Sequence, residues 1–327
     1  MAARNDITHA ASAVFRHWYS LNGELASPEG AEVMAARGLP LVSRLAPERP
    51  RAAQADYWNR VGARRWIDNQ DILDQLLRPV SARLVAAARA EAGECVIDVG
   101  CGCGATTIDF GARVAPGGEV LGLDISAPML ERARERAPAG LPLCFALGDA
   151  ASHELTPCWA DLVVSRFGVM FFADPARAFA NLRQGLRPGG RLAFACWHTA
   201  KLNPWMTMPS LEASKHVPPL PEVGPEDPGP FSFADEKRVR RILHEAGYDD
   251  IELKPHEFDL DIALGRGLDT AVVIALASGL TSRILDGQSE AVRAAAAADI
   301  RAVLAPYARG GSLRLGAAIW IVTAANP

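Results

Sequence analysis

The chain has 327 residues, 49% hydrophobic and 22% charged, with a formal net charge of −4 and a pI near 6.0. That apolar content suffices for one large core, as an extended domain or a domain with a cap, while the mild negative balance advertises no nucleic-acid or anionic-membrane partner. Six cysteines, all between Cys95 and Cys196, suit buried reduced thiols in a cytosolic protein, and neither a membrane-spanning run nor a signal peptide is expected from the polar, alanine-rich start.

Residues 1–52 are read as an N-terminal extension. Ile7 to Leu21 fits one amphipathic helix with Val14, Phe15 and Trp18 on a shared side, and Pro28, Gly30, Gly38, Pro40, Pro47 and Pro50 then mark an irregular linker. An arm over the site or over a dimer partner, and an extension without a catalytic role, both stay open. Residues 53–92 carry Tyr57-Trp58-Asn59 and Trp66, then a helix from Asp68 to Ala90 that Pro79 is expected to break or bend.

The stretch from Glu94 to Gly104 organises the rest of the chain. Cys95 to Val99 is a β-branched apolar run, as in a strand buried on both faces of a parallel sheet. Gly100, Gly102 and Gly104 then let the backbone turn tightly and let a ligand approach the main chain. A helix opening at Ala105 to Thr107 aims its unpaired N–H groups at the same spot, as in a nucleotide pocket. The spacing Gly100-x-Gly102-x-x-Ala105, with Asp124 further on, also satisfies the dinucleotide fingerprint. Three features favour S-adenosylmethionine instead: Asp98 two residues before the first glycine suits an ammonium and repels a pyrophosphate; Asp124 ends the second strand, Glu119 to Asp124, in place for ribose hydroxyls; and Gly148-Asp149-Ala150 forms a polar tip after the third strand, Leu143 to Leu147.

Strands and helices alternate through this region, which predicts a doubly wound parallel sheet. Thr106 to Val114 is the first helix, and Ser126 caps the next, which runs to Ala137. Ala160 to Val164 is the fourth strand, ending at Ser165-Arg166-Phe167-Gly168 outside the carboxyl ends of the strands, where ligands bind in such sheets. Pro175 starts a helix to Leu186, and Leu186-Arg187-Pro188-Gly189-Gly190 turns into the fifth strand, Arg191 to Trp197. Residues 199–233 hold eight prolines and little periodicity, and are read as a cap insertion over the acceptor site. A helix from Phe233 to Ala246, a sixth strand from Ile251 to Leu260, two alanine-rich helices (Asp269 to Leu285, Ser289 to Leu304) within a helical insertion over 265–306, and a last strand from Leu313 to Thr323 complete the chain. The core is thus assigned to 93–198 and 234–327.

Residues 54–200 together resemble a class I S-adenosylmethionine-dependent methyltransferase, most closely the bacterial small-molecule branch whose members methylate ubiquinone and menaquinone precursors. The resemblance implies a Rossmann-like α/β fold with a doubly wound, seven-stranded, mostly parallel sheet and helices on both faces. It implies that Asp98, Gly100, Gly102 and Gly104 hold the methionine part of the cofactor, that Asp124 binds the ribose, that Gly148, Asp149 and Ala150 meet the adenine, and that Ile125 and Met129 flank its ring. Trp58 and Trp66 resemble the family's N-terminal lid. Ser165 and Arg166 are expected at the methionine part, and Phe167, Met170, Phe171 and Phe172 along the acceptor pocket. Base-modifying enzymes of this fold carry Asn or Asp, then Pro-Pro and an aromatic, at this strand end; Ser-Arg-Phe-Gly argues for a small molecule.

Methyl transfer to oxygen or carbon of a hydrophobic, ring-containing acceptor is therefore the expected reaction, by in-line displacement. His198, just beyond the fifth strand, is the candidate general base, with Asp174 and His216 behind it. No metal is expected, because Cys101 and Cys103 lie inside the glycine loop and no second pair shows ligand spacing. An NAD(P)-dependent oxidoreductase and a non-catalytic S-adenosylmethionine-binding partner protein are the alternatives. A homodimer through the alanine-rich helices is compatible with the pattern.

Overall fold

The computed structural model describes residues 48–219, 224 and 226–327, so the helix expected over 7–21 and the linker up to residue 47 fall outside the described residues, while Pro50, expected in the linker, lies in the first turn of a helix, Glu48–Asn59, where a missing N–H costs nothing. Strands β1 (Cys95–Val99), β2 (Glu119–Asp124), β3 (Leu143–Leu147), β4 (Ala160–Arg166), β5 (Leu186–Trp197), β6 (Asp249–Asp261) and β8 (Ser312–Ala325) make one sheet, with the short β7 (Ala308–Arg309) paired to β8. The order across it is β3-β2-β1-β4-β5-β8-β6. Neighbours from β3 to β5 are parallel, whereas β8 is antiparallel to both β5 and β6. Successive residues of β1 and β4, such as Val96, Ile97 and Val99 or Leu162, Val163 and Val164, are all buried, so both faces of the sheet are covered. The chain leaves β1 toward one side and returns to its other side at β4, and the crevice between them opens at their carboxyl ends.

Helices α1 (Glu48–Asn59) and α2 (Val61–Asp68) precede α3 (Gln70–Ala88), which runs unbroken through Pro79, against expectation. A proline removes one helical N–H, and here the helix is held by a buried stripe of Leu73, Leu76, Leu77, Val80 and Leu84. Helices α4 (Ala105–Val114), α5 (Ala127–Arg136) and α6 (Pro175–Gly185) are the crossovers, and Ser126 caps α5 by accepting from Met129 N at 3.4 Å.

Part of the segment expected as an irregular cap is an ordered helix, α7 (Pro204–Ser214). It shows no amphipathic period because it is wrapped on all sides: Trp205, Met206, Thr207, Met208 and Ser210 are all buried. Asn203 docks its start on β8, donating to Ala318 O and accepting from Ala318 N, each at 3.0 Å. Beyond α8 (Glu236–Glu245), the first alanine-rich helix is split at Gly279, whose φ of +57° lies in the left-handed region, into α9 (Leu268–Ala277) and α10 (Gly279–Ile284). With α11 (Glu290–Leu304) these bury Ala271, Ile274, Ala296, Ile300 and Leu304 within the chain itself. Among the described residues no helix is long and apolar enough to cross a membrane.

Candidate functional site

At the carboxyl ends of β1, β2 and β4 lies a cavity of about 810 Å³. Its floor is the glycine loop, where Gly100 (φ +66°) and Gly102 (φ +54°) take left-handed conformations open to glycine at little cost. A Cβ on Gly100 would stand 2.6 Å from the Gly168 Cα, so two loops meet here without side chains between them. Behind the loop, Gly104 (φ +79°) starts α4 and faces Ala133 and Phe145 rather than the cavity.

Asp124 closes β2 with its carboxylate on the cavity wall. Oδ2 accepts from Gly102 N and Oδ1 from Ser126 N, both at 2.8 Å, which leaves each oxygen a second lone pair. Burial pushes its pKa up to about 6 against the pull of those N–H donors. Ile125 and Met129 come next on the same wall, and Gly148, Asp149 and Ala150 line the cavity at the tip of β3.

Helices α1 and α2 form the roof. Trp58 and Trp66 both line the cavity, and Trp58 meets Phe171 edge to face with centroids 5.3 Å apart. The roof is fastened to the loop after β2: Asn59 Nδ2 donates to Ile125 O at 2.9 Å, Ala127 N donates to Asn59 Oδ1 at 3.0 Å, and Ser126 Oγ donates to Trp58 O at 2.5 Å. On its other side Arg65 pairs with Asp286 at 2.8 Å, and Arg283 lies 4.3 Å over the Tyr57 ring and 5.5 Å over that of Phe171. Arg166, Phe167, Phe171 and Phe172 form the wall after β4. Phe167 has a φ of +71°, a costly conformation for an aromatic residue, and its ring stacks on Trp197 at 4.3 Å.

Four expected site residues stand elsewhere. Asp98 is fully buried behind the glycine loop, where its Oδ2 accepts from the hydroxyls of Thr106 and Thr107 at 2.7 Å each, and it does not line the cavity. Gly104 belongs to the start of α4 and also stands outside the lining. Ser165 is buried and donates to Val99 O at 2.7 Å, tying β4 to β1. His198 lies outside the lining: its ring stacks on Trp320 at 4.2 Å and its Nδ1 accepts from Thr199 N at 2.7 Å. The chain turns at the end of β5 toward β8, where His198 N donates to Ala318 O at 3.0 Å, so the ring stands apart from the cavity lining. Met170 likewise sits beneath the wall, His216 pairs with Asp299 at 2.8 Å far from the lining, and Asp174 borders the cavity while capping α6 through Arg177 N. No described residue of 199–233 or 265–306 lines the cavity, so the roof comes from α1 and α2.

Sequence reasoning missed Asp74, Gln54, Thr106 and Arg177, all of which line the cavity. Asp74 had a signal: an acid set among Ile72, Leu73, Leu76 and Leu77, on a helix whose apolar face is buried. Cys101 and Cys103 line the cavity too, and burial pushes both thiols up, Cys103 to about 12, so they are neutral and poor nucleophiles. Among the described residues no cluster fits a metal ion.

A glycine cradle, a carboxylate at the end of β2 and a polar strand tip at the switch point of a doubly wound sheet are the geometry of a nucleotide-binding α/β protein. Residues 96–190 match the family model described as a methyltransferase domain, and this part of the chain belongs to that family. Nocamycin O-methyltransferase of Saccharothrix syringae is 36% identical over 120 residues, 36% of this chain and 43% of that protein. The ubiquinone/menaquinone biosynthesis C-methyltransferase of Bordetella avium is 32% identical over 139 residues, 42% of this chain and 54% of that one. The chain thus spans about half the length of the curated relatives it matches. Phosphoethanolamine N-methyltransferase 2 of Haemonchus contortus, solved with S-adenosyl-L-methionine, superposes with a TM-score of 0.51 at 15% identity, covering 84% of this chain and 60% of that one; at that identity the likeness is one of fold.

Proposed function

We propose that this chain transfers a methyl group from S-adenosylmethionine to oxygen or carbon of a hydrophobic, ring-containing small molecule in the cytosol. The observation that carries the reading is the buried Asp124 carboxylate, pinned by Gly102 N and Ser126 N on the wall of an 810 Å³ cavity that the glycine loop floors. Its remaining lone pairs suit two ribose hydroxyls. Asp149 and Ala150 suit an adenine edge, and Arg166 a carboxylate. O- and C-methyltransferases acting on natural products and quinones are among the relatives, which supports the acceptor class. The six cysteines are all free, which supports a reducing compartment.

S-adenosylmethionine, when bound, supplies an electrophilic methyl on a sulfonium leaving group. What the residues contribute is alignment and exclusion of water. Asp124 and the glycine loop fix one end of the site, and Trp58, Phe167 and Phe171 offer an apolar wall to a planar acceptor.

Calorimetric titration with S-adenosylmethionine, S-adenosylhomocysteine and NADH in parallel tests the cofactor, and a screen of phenols and quinone-like rings tests the acceptor. Binding of the two sulfur nucleotides with methylation of an acceptor is the expected result. Binding of NADH alone would overturn the methyltransferase reading, and binding of the sulfur nucleotides without turnover on any acceptor would favour the non-catalytic partner.

A further inference from the structure

Asp74, on the second turn of α3, is a cavity carboxylate with one oxygen spoken for and one spare. Its Oδ2 accepts from Arg136 Nη2 at 2.7 Å and from Gln70 Nε2 at 3.0 Å. Arg136 in turn donates to Cys103 O at 2.6 Å, so Asp74 is tied to the glycine loop itself. Its Oδ1 is buried without a hydrogen-bond partner although the residue lines the cavity, and the Arg166 guanidinium stands 3.8 Å away. Arg166 lines the same cavity and is braced by a bond to Ser81 Oγ at 2.8 Å. A buried, ionisable oxygen with no donor is costly unless a ligand completes it.

Asp98, the acid two residues before the first glycine, also has one oxygen, Oδ1, without a hydrogen-bond partner, but it has no exposed surface and does not line the cavity, and its other oxygen accepts from two threonine hydroxyls. We infer that Asp74 and Arg166 form a zwitterion clamp for the aminoacyl end of the cofactor. The spare Oδ1 of Asp74 receives the α-ammonium and Arg166 donates to the α-carboxylate, while Asp98 buttresses the loop through Thr106 and Thr107. The assignment rests on the proposed S-adenosylmethionine site and places its ammonium anchor on a helix outside the residues that match the methyltransferase domain.

The test compares two ligands that share the nucleoside and differ in the aminoacyl tail: S-adenosylhomocysteine and 5′-methylthioadenosine. Asp74→Asn should weaken S-adenosylhomocysteine roughly 10- to 100-fold, as loss of a charge-assisted bond does, and leave methylthioadenosine within about twofold, which also certifies the fold. Asp98→Asn, by contrast, should affect both ligands alike. Equal losses of both ligands in Asp74→Asn, or no loss of either, would overturn the clamp while leaving the nucleotide site standing. Failure of the unmodified protein to bind either ligand would overturn the nucleotide site and the clamp with it.

Discussion

Gly100 and Gly168 meet backbone to backbone: a Cβ added to Gly168 would stand 2.8 Å from the Gly100 Cα and 2.6 Å from the Val99 carbonyl oxygen. Neither neighbour can yield, since both belong to the turn that shapes the cavity floor. Gly168→Ala should therefore cost about 1–3 kcal/mol of stability, as overpacking does, and weaken S-adenosylhomocysteine further than that loss implies. Thermal denaturation and titration side by side check it; unchanged affinity in a destabilised variant would show that the loop's shape is not set by this contact.

Asp124 gives a pH dependence with a defined sign. Burial holds its pKa near 6 in the folded protein, above the roughly 3.9 of an unfolded aspartate. Its contribution to folding is therefore full below the unfolded value and is lost as pH rises through about 6. Ligand affinity runs the opposite way, because ribose hydroxyls donate to the ionised form. Affinity for S-adenosylhomocysteine should be flat above about pH 7 and roughly tenfold weaker at about pH 5, and Asp124→Asn should bind weakly at every pH. A profile for the unmodified protein that stays level down to about pH 5 would count against Asp124 as the ribose acceptor.

Asn59 clasps the roof to the loop after β2 with both ends of its amide. Asn59→Ala should lower cofactor affinity by about tenfold, the value of one to two hydrogen bonds, and make α1 easier to cleave by protease in the free protein. Cleavage at the unaltered rate would mean that Trp58 and Ser126 hold the roof without it.

His198→Ala removes a ring stacked on Trp320 and nothing from the cavity lining. Methyl transfer should stay within about twofold, while stability falls by about 0.5–1.5 kcal/mol, the worth of an aromatic pair. A collapse of turnover with intact cofactor binding would restore it as a base.

The strands and the glycine turn at the cavity floor are legible because their signals are local. A strand buried on both faces reads as an unbroken apolar run, as at Cys95–Val99 and Ala160–Arg166, and a left-handed turn asks for glycine, as at Gly100 and Gly102. What was not legible depends on partners distant in the chain. Asp98 has the right spacing for a ligand contact, yet it is buried outside the cavity lining, with one oxygen held by two threonines eight and nine residues on. α7 could not be read because a helix buried all round shows no period, and its prolines at 204 and 209 pointed the other way. His198 stands apart from the cavity lining because the turn after β5 obeys its pairing with β8, over a hundred residues later.

That late partner has one more consequence. β8 lies between β5 and β6 and supplies the hydrogen bonds of both, with Trp197 opposite Ile319 and Phe258 opposite Ala317. During synthesis the apolar edge of β5 and the whole of β6 therefore wait, unpaired, until residues 312–325 have emerged from the ribosome. The half of the sheet from β3 to β4 can assemble first, and over that interval the unpaired edges of β5 and β6 are open to misassociation with other strands.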